Sequence, residues 1–266
     1  SQRRDISLCT KTRKLPLRFF RTKLAAYLTL VLIAGVALAA SEDGNSFLQS
    51  GPTGDIDDLS ESQFYVDGSS GSGKIFVFTN GHRSLHFIPM IHQAEPEFYS
   101  AVAREVKSLK ANGMDLYYEF IDFEAAPISD KRRIRAMFGF LPSPEFYAEN
   151  ISGNLVAQDN TLFLGFPGGR DIIVDATPAE IADAYEAMNG PLKISEENLN
   201  TAMDEFVMPT SDPSKLAQVT IDWRNERLAQ AINEAKEDIV VLYGAAHGVG
   251  TMRRLQLLDP RWHRVD

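Results

Sequence analysis

Ile239-Val240-Val241-Leu242-Tyr243-Gly244-Ala245-Ala246-His247 is the stretch whose reading decides the fold. A short unbroken apolar run, β-branched at its start and closed by small residues, predicts a strand covered on both faces. A helical pattern follows it over 248–258. A second run, Leu85-His86-Phe87-Ile88-Pro89-Met90-Ile91-His92, also hands over to a helical pattern, and a third, Met114-Asp115-Leu116-Tyr117-Tyr118-Glu119-Phe120, ends in a carboxylate. Alternating strands and helices predict an α/β fold, with a mixed, mostly parallel central sheet flanked by helices. In such sheets ligands bind at the carboxyl ends of the strands. His92, Glu119 and His247 are therefore expected at one rim, enough for a metal site or for acid/base hydrolysis.

Outward from these strands, 75–78 and 85–91 flank a turn containing Asn80-Gly81, which predicts a hairpin. Phe98, Val102, Val106 and Leu109 fall on one face of a helix over 95–110, which Asn112-Gly113 ends. Strand, helix and strand over 85–120 then make a right-handed crossover unit. Helices are expected over 130–141 and 144–151, strands over 161–166 and 171–175, and a long helix over 216–235. Thr177-Pro178-Ala179-Glu180 carries threonine at the cap, proline in the first turn and glutamate behind it, which predicts another helix start.

Charge divides the chain. Residues 1–23 hold eight Lys and Arg against Asp5 alone, which leaves 19 basic and 35 acidic side chains for the remainder. So acidic a body repels a phosphate backbone, and nucleic acid is not expected as a partner. Uncharged residues fill 24–40, long enough for a short membrane span, and Ala37-Leu38-Ala39-Ala40-Ser41 fits a signal-cleavage pattern. Anchor and cleaved signal both remain open. Either one exports the acidic body and leaves the basic segment in the cytoplasm. The expected organisation is a basic cytoplasmic segment (1–23), a transmembrane or signal helix (24–40), a flexible linker rich in Ser, Gly and acidic residues (41–74), and an α/β domain (75–266). Within the linker, Gly68 to Lys74 imitates a phosphate-binding loop, but Ile75 stands where Ser or Thr is needed, and it is read as linker. Cys9 is the only cysteine, so any metal in the body must use imidazole, carboxylate or amide oxygen.

Small residues around His247 let a substrate or metal approach closely. Glu119 follows an apolar approach; burial would raise its carboxyl pKa, a metal would hold it ionised, and a salt bridge to arginine is the structural alternative. Arg224 and Asn225, in Asp222-Trp223-Arg224-Asn225-Glu226-Arg227, could polarise a carbonyl, orient Glu119, or belong to a solvated charge ladder. His82 and His86 are secondary candidates, and His263 reads as a surface residue. No Gly-x-Ser-x-Gly occurs, which disfavours a serine hydrolase.

With these residues in place the chain resembles the TraB/GumN (PrgY, TIKI-like) family, related in fold to erythromycin esterases and ChaN-like proteins. The likeness runs over 87–258. Pro89-Met90-Ile91-His92 resembles its Gly-x-x-His segment with proline for glycine, and Tyr118-Glu119-Phe120 its strand-end glutamate. Leu155-Val156-Ala157-Gln158 resembles its Leu-x-x-Gln, Arg224-Asn225-Glu226-Arg227-Leu228-Ala229 its Arg-Asn-x-x-Met-Ala with leucine for methionine, and Val241 to His247 its Val-x-Val-Gly-Ala-x-His. The resemblance implies a metal-dependent hydrolase or protease, or a protein that sequesters peptides or binds haem. It implies His92 and Glu119 as the core of the metal or catalytic site, with His247 facing them. The expectation built on it is that these three are catalytic and hold Mn, Co or Zn, with Arg224, Asn225 and Gln158 against a peptide or small-molecule substrate. The expectation is a membrane-tethered, extracytoplasmic metal-dependent hydrolase acting on peptides, with metal-free acid/base catalysis and non-catalytic capture as its alternatives.

Overall fold

The computed structural model describes residues 56–68, 73–143, 146–147, 151 and 153–265. The basic segment, the apolar run over 24–40 and Cys9 lie outside them. Most of the expected helix over 144–151 does so too.

Six strands form the central sheet: β1 (Phe76–Thr79), β2 (Ser84–Met90), β4 (Asp115–Tyr118), β6 (Asp171–Ile173), β7 (Ile239–Gly244) and β8 (His263–Arg264). Their order is β6-β4-β7-β2-β1-β8. β6, β4, β7 and β2 run parallel, and β1 is antiparallel to both of its neighbours. This is the expected α/β architecture. The expected hairpin pairs Phe76 with Phe87 and Thr79 with Ser84, closed by Asn80, whose Oδ1 accepts from the His82 and Arg83 amides. A separate ribbon pairs β3 (Gln93–Ala94) with β5 (Val156–Ala157) beside the carboxyl end of β2.

Central strands sort their side chains alternately between two cores, as period two requires. Ile239, Val241 and Tyr243 join Phe87 and Tyr117 on one face. There they meet α7 (Arg224–Glu234) through Leu228 and Ile232, and α8 (Gly248–Leu258) through Val249, Met252 and Leu255. Val240 and Leu242 join Ile88, Met90 and Leu116 on the other face, against Phe98, Val102 and Val106 of α2 (Pro96–Ala111). A third cluster ties α3 (Ile128–Phe138) and α4 (Pro178–Asn189) to Leu216 and Val219. Each such large side chain contributes on the order of 1.5–3 kcal/mol when fully buried.

β2, α2 and β4 form the expected strand–helix–strand unit, with β7 standing between its two parallel strands. Three local expectations change. The linker expected over 41–74 is part of the body from Ile56 to Val66: Ile56, Leu59 and Phe64 are buried in the first core and Val66 in the second. Four apolar anchors among many polar residues are enough to hold this arm, with α1 (Glu61–Phe64) at its centre. The strand expected over 161–166 is instead a 3-10 turn, Asn160–Leu162, because Asp159 Oδ1 captures both the amide and the hydroxyl of Thr161. The long helix is interrupted: α6 (Pro213–Ala217) passes through a π-helical segment, Gln218–Trp223, into α7. Elsewhere the sequence signals match, including the reciprocal Thr177–Glu180 capping box that opens α4.

Connections from the neighbouring parallel strands β2 and β7 leave toward opposite faces, β2 to α2 and β7 to α8. Such a switch point opens a crevice at the carboxyl edge. Among the described residues, no helix is long and apolar enough to cross a membrane.

Candidate active site

Each of the four parallel strands delivers one polar side chain to this edge. β2 is followed by His92, β4 by Glu119, β7 by His247 and β6 by Asp175. The first three were expected there; Asp175 was not. The π-helical segment that ends at Trp223 brings Arg224 and Asn225 to the same place, both buried. Single π turns inserted in α-helices recur at functional sites because they re-aim side chains without ending the helix.

Arg224 is the hub. Its Nε donates to Asp175 Oδ1 at 2.9 Å and its Nη2 to Asp175 Oδ2 at 2.6 Å, a bidentate pair. Nη2 also donates to Glu119 Oε1 at 2.6 Å and lies 3.2 Å from the Tyr243 hydroxyl. Nη1 reaches the Thr220 carbonyl at 3.3 Å and His247 Nε2 at 3.4 Å. A guanidinium has five N–H donors, and these partners occupy all of them. No donor is left for a substrate carbonyl. Of the readings open from the sequence, the geometry favours Arg224 orienting Glu119.

Glu119 is held from both sides, since its Oε2 accepts the Gly244 amide at 2.7 Å. A Cβ on residue 244 would stand 3.1 Å from that oxygen, so the glycine keeps the approach open. Burial is the strongest single influence and works to raise the Glu119 carboxyl, but the Arg224 charge, the two imidazoles and the Arg224 hydrogen bond together hold the group well below the usual carboxylate range. Burial likewise works against the Arg224 cation, and Glu119, Tyr243 and Asp175 overcome it. Glu119 is thus a fixed anion.

His247 is fully enclosed. Its Nδ1 lies 2.6 Å from Asn225 Oδ1, which also accepts from Thr251 Oγ1 at 3.3 Å. Because Nε2 faces a guanidinium N–H, it must accept, and the ring proton is assigned to Nδ1. Burial, then the Arg224 charge, push its pKa down to about 3, so the imidazole is neutral at physiological pH. Asn225 therefore fixes a tautomer, with its carboxamide turned inward.

His92 differs from all of these. The residue is exposed to solvent, and its ring stacks on Tyr147 with centroids 4.5 Å apart and planes 20° from parallel. Burial nevertheless lowers its pKa, and Arg224 adds to this, while Glu119 opposes it. The His92 carbonyl accepts the Gln158 amide at 2.9 Å. Gln158 Nε2 donates to Asn160 Oδ1, and Asn160 Nδ2 to the Glu119 carbonyl, so Gln158 links the ends of β2 and β4.

His92, Glu119 and His247 thus meet at one edge, but as arranged they do not fit a dication. Both Glu119 oxygens and His247 Nε2 face N–H donors, and the guanidinium holds the place between them. Among the described residues no three His, Asp, Glu or Cys side chains form a metal-ligand group. His86 and His82 precede this edge on the hairpin, and His263 lies exposed on β8 with its Nδ1 2.8 Å from the Arg261 carbonyl.

Asp175 carried a sequence signal of the same kind as Glu119, an acidic residue closing the apolar run Ile172-Ile173-Val174. Tyr147 and Tyr243 carried none. Comparison of the chain with family models, with curated proteins and with solved structures gave no match.

Proposed function

We propose that the protein hydrolyses an ester or amide bond, peptide bonds included, with His92 as the general base. One contrast carries this reading. Every charged or imidazole group at the edge is saturated by protein partners and wholly or largely buried, except His92, a neutral imidazole on an exposed residue. A base must be unprotonated and within reach of its water, and His92 meets both conditions.

In this reading His92 takes a proton from water as the water oxygen bonds to the substrate carbonyl carbon. The anionic Glu119 stabilises the imidazolium as it forms. When the tetrahedral adduct collapses, the bond to the leaving oxygen or nitrogen breaks and His92 returns the proton to it. Arg224, Asp175 and Asn225 hold Glu119 and His247 in place, so no charge needs to reorganise during reaction. The resemblance to TraB/GumN proteins and erythromycin esterases supports a hydrolase. The basic segment followed by an apolar run supports its placement on the extracytoplasmic side of a membrane, either anchored or released after cleavage.

The test is a panel of ester, amide and peptide substrates given to the purified chain in chelator, then with Mn, Co or Zn. Turnover should persist in chelator and fall by about 100-fold or more in His92→Ala. Turnover that requires added metal would replace this mechanism with the metal-dependent one. Stoichiometric capture of a peptide without product, or a Soret band on adding haem, would replace it with sequestration.

A further inference from the structure

Hydrolysis at a carbonyl needs a donor for the oxygen that becomes anionic, and the groups packed around Glu119 and His247 offer none. Arg224 has no free N–H, the Gly244 amide is committed to Glu119, and the Asn225 carboxamide faces inward. Among the described residues, one ring with a hydroxyl stacks directly on the base. Tyr147 lies face to face with His92 at 4.5 Å, so its phenol occupies the layer next to the imidazole plane.

Its placement is built from both sides. The Tyr147 amide donates to the Ser143 carbonyl at 3.2 Å, and its own carbonyl accepts from Gln93 Nε2 at 3.0 Å on the β3–β5 ribbon. Phe146 meets the Tyr147 ring edge-on at 5.7 Å and stacks in turn on the buried Phe140 at 4.1 Å. These aromatic contacts fix the ring's orientation without using its hydroxyl.

We propose that Tyr147 is a catalytic residue whose hydroxyl donates a hydrogen bond to the substrate carbonyl oxygen as His92 delivers water to the carbon. The inference rests on the hydrolase reading above. Burial and the Glu119 charge push the phenol pKa up to about 12, so it keeps its proton and acts as a neutral donor. As the water oxygen bonds to carbon, the carbonyl π pair moves to oxygen and is held by the Tyr147 O–H, with no proton transferred. The pair returns when the leaving group departs.

The test compares wild type, Tyr147→Phe and Tyr147→Leu on the best substrate found, and measures affinity for a phosphonate analogue of its tetrahedral adduct. Phenylalanine keeps the stack and removes only the donor. Tyr147→Phe should lower kcat by about 100-fold or more, leave KM within about twofold and the thermal midpoint unchanged, and weaken phosphonate binding in step with kcat/KM. Full activity in Tyr147→Phe with loss only in Tyr147→Leu would make the ring a structural brace and overturn the proposal. A kcat loss with unchanged phosphonate affinity would also overturn it. A wild-type chain inactive on every substrate would instead defeat the hydrolase reading, and the donor role with it.

Discussion

Replacing Arg224 with methionine keeps much of its volume and removes the charge that two carboxylates share. Glu119 would retain only the Gly244 amide, and Asp175 would keep the Ala176 amide at 2.7 Å. Breaking a buried ion pair by removing one partner costs about 3–5 kcal/mol. A second route gives the same size for Glu119: protonating an ordinary glutamic acid at pH 7.5 costs about 4 kcal/mol, and this caps that group's share of the penalty because it can take up a proton. The sign with pH follows. In the wild type the Glu119 pKa is depressed, so its contribution is present above the ordinary carboxylate range and is lost as pH falls through the lowered value. In the variant, burial without the cation raises that pKa, so acid relieves the strain. Urea unfolding of the purified chain should show a deficit of about 4 kcal/mol at pH 7.5 that shrinks to about 1 kcal/mol at pH 4.5, with equal m values. The triple variant Arg224→Met, Glu119→Gln, Asp175→Asn should recover to within about 1–2 kcal/mol of wild type. An equal deficit at both pH values would refute the claim that two buried carboxylates depend on this one guanidinium.

Two further outcomes follow from the same edge. His247 is neutral in the fold with a pKa of about 3, whereas the unfolded chain takes up its proton near 6.5, so stability should fall as pH drops from 6.5 toward that value. The slope from this group is about 1.4 kcal/mol per pH unit, and His247→Gln should flatten that part of an acid-unfolding series; an unchanged slope would count against a buried neutral ring. A Cβ at Gly250 would overlap the Asn225 carboxamide nitrogen. Gly250→Ala should therefore disturb the bond to His247 Nδ1 and cost about 1–3 kcal/mol, read by chemical denaturation, and wild-type stability would show that Asn225 has room to move.

Where local pattern and tertiary demand agree, the sequence was readable. β7 needs both faces covered and reads as an unbroken apolar run; α4 reads from its cap alone. Residues 161–166 have a strand's composition, yet Asp159 offers the backbone a nearer partner, and side-chain capture of this kind leaves little trace in hydrophobic pattern. Ile56, Leu59, Phe64 and Val66 lie too far apart among polar residues to show periodicity, although each is buried. The site was legible in outline because strand ends are legible: His92, Glu119 and His247 stand where their runs stop. Asp175 obeys the same rule at β6. What the sequence did not carry is direction. Asp222 to Arg227 reads equally as a lining of the site and as a solvated charge ladder, and the π-helical segment turns Arg224 and Asn225 inward.

Phe64 fills the space beside Gly248, where any larger residue would collide with its ring. The arm over 56–66 is therefore a wedge seated under the first turn of α8, directly after His247. A fragment trimmed to begin at Lys74 would leave an open slot there and strip four anchors from two cores, so the smallest self-sufficient version of this body starts no later than Ile56.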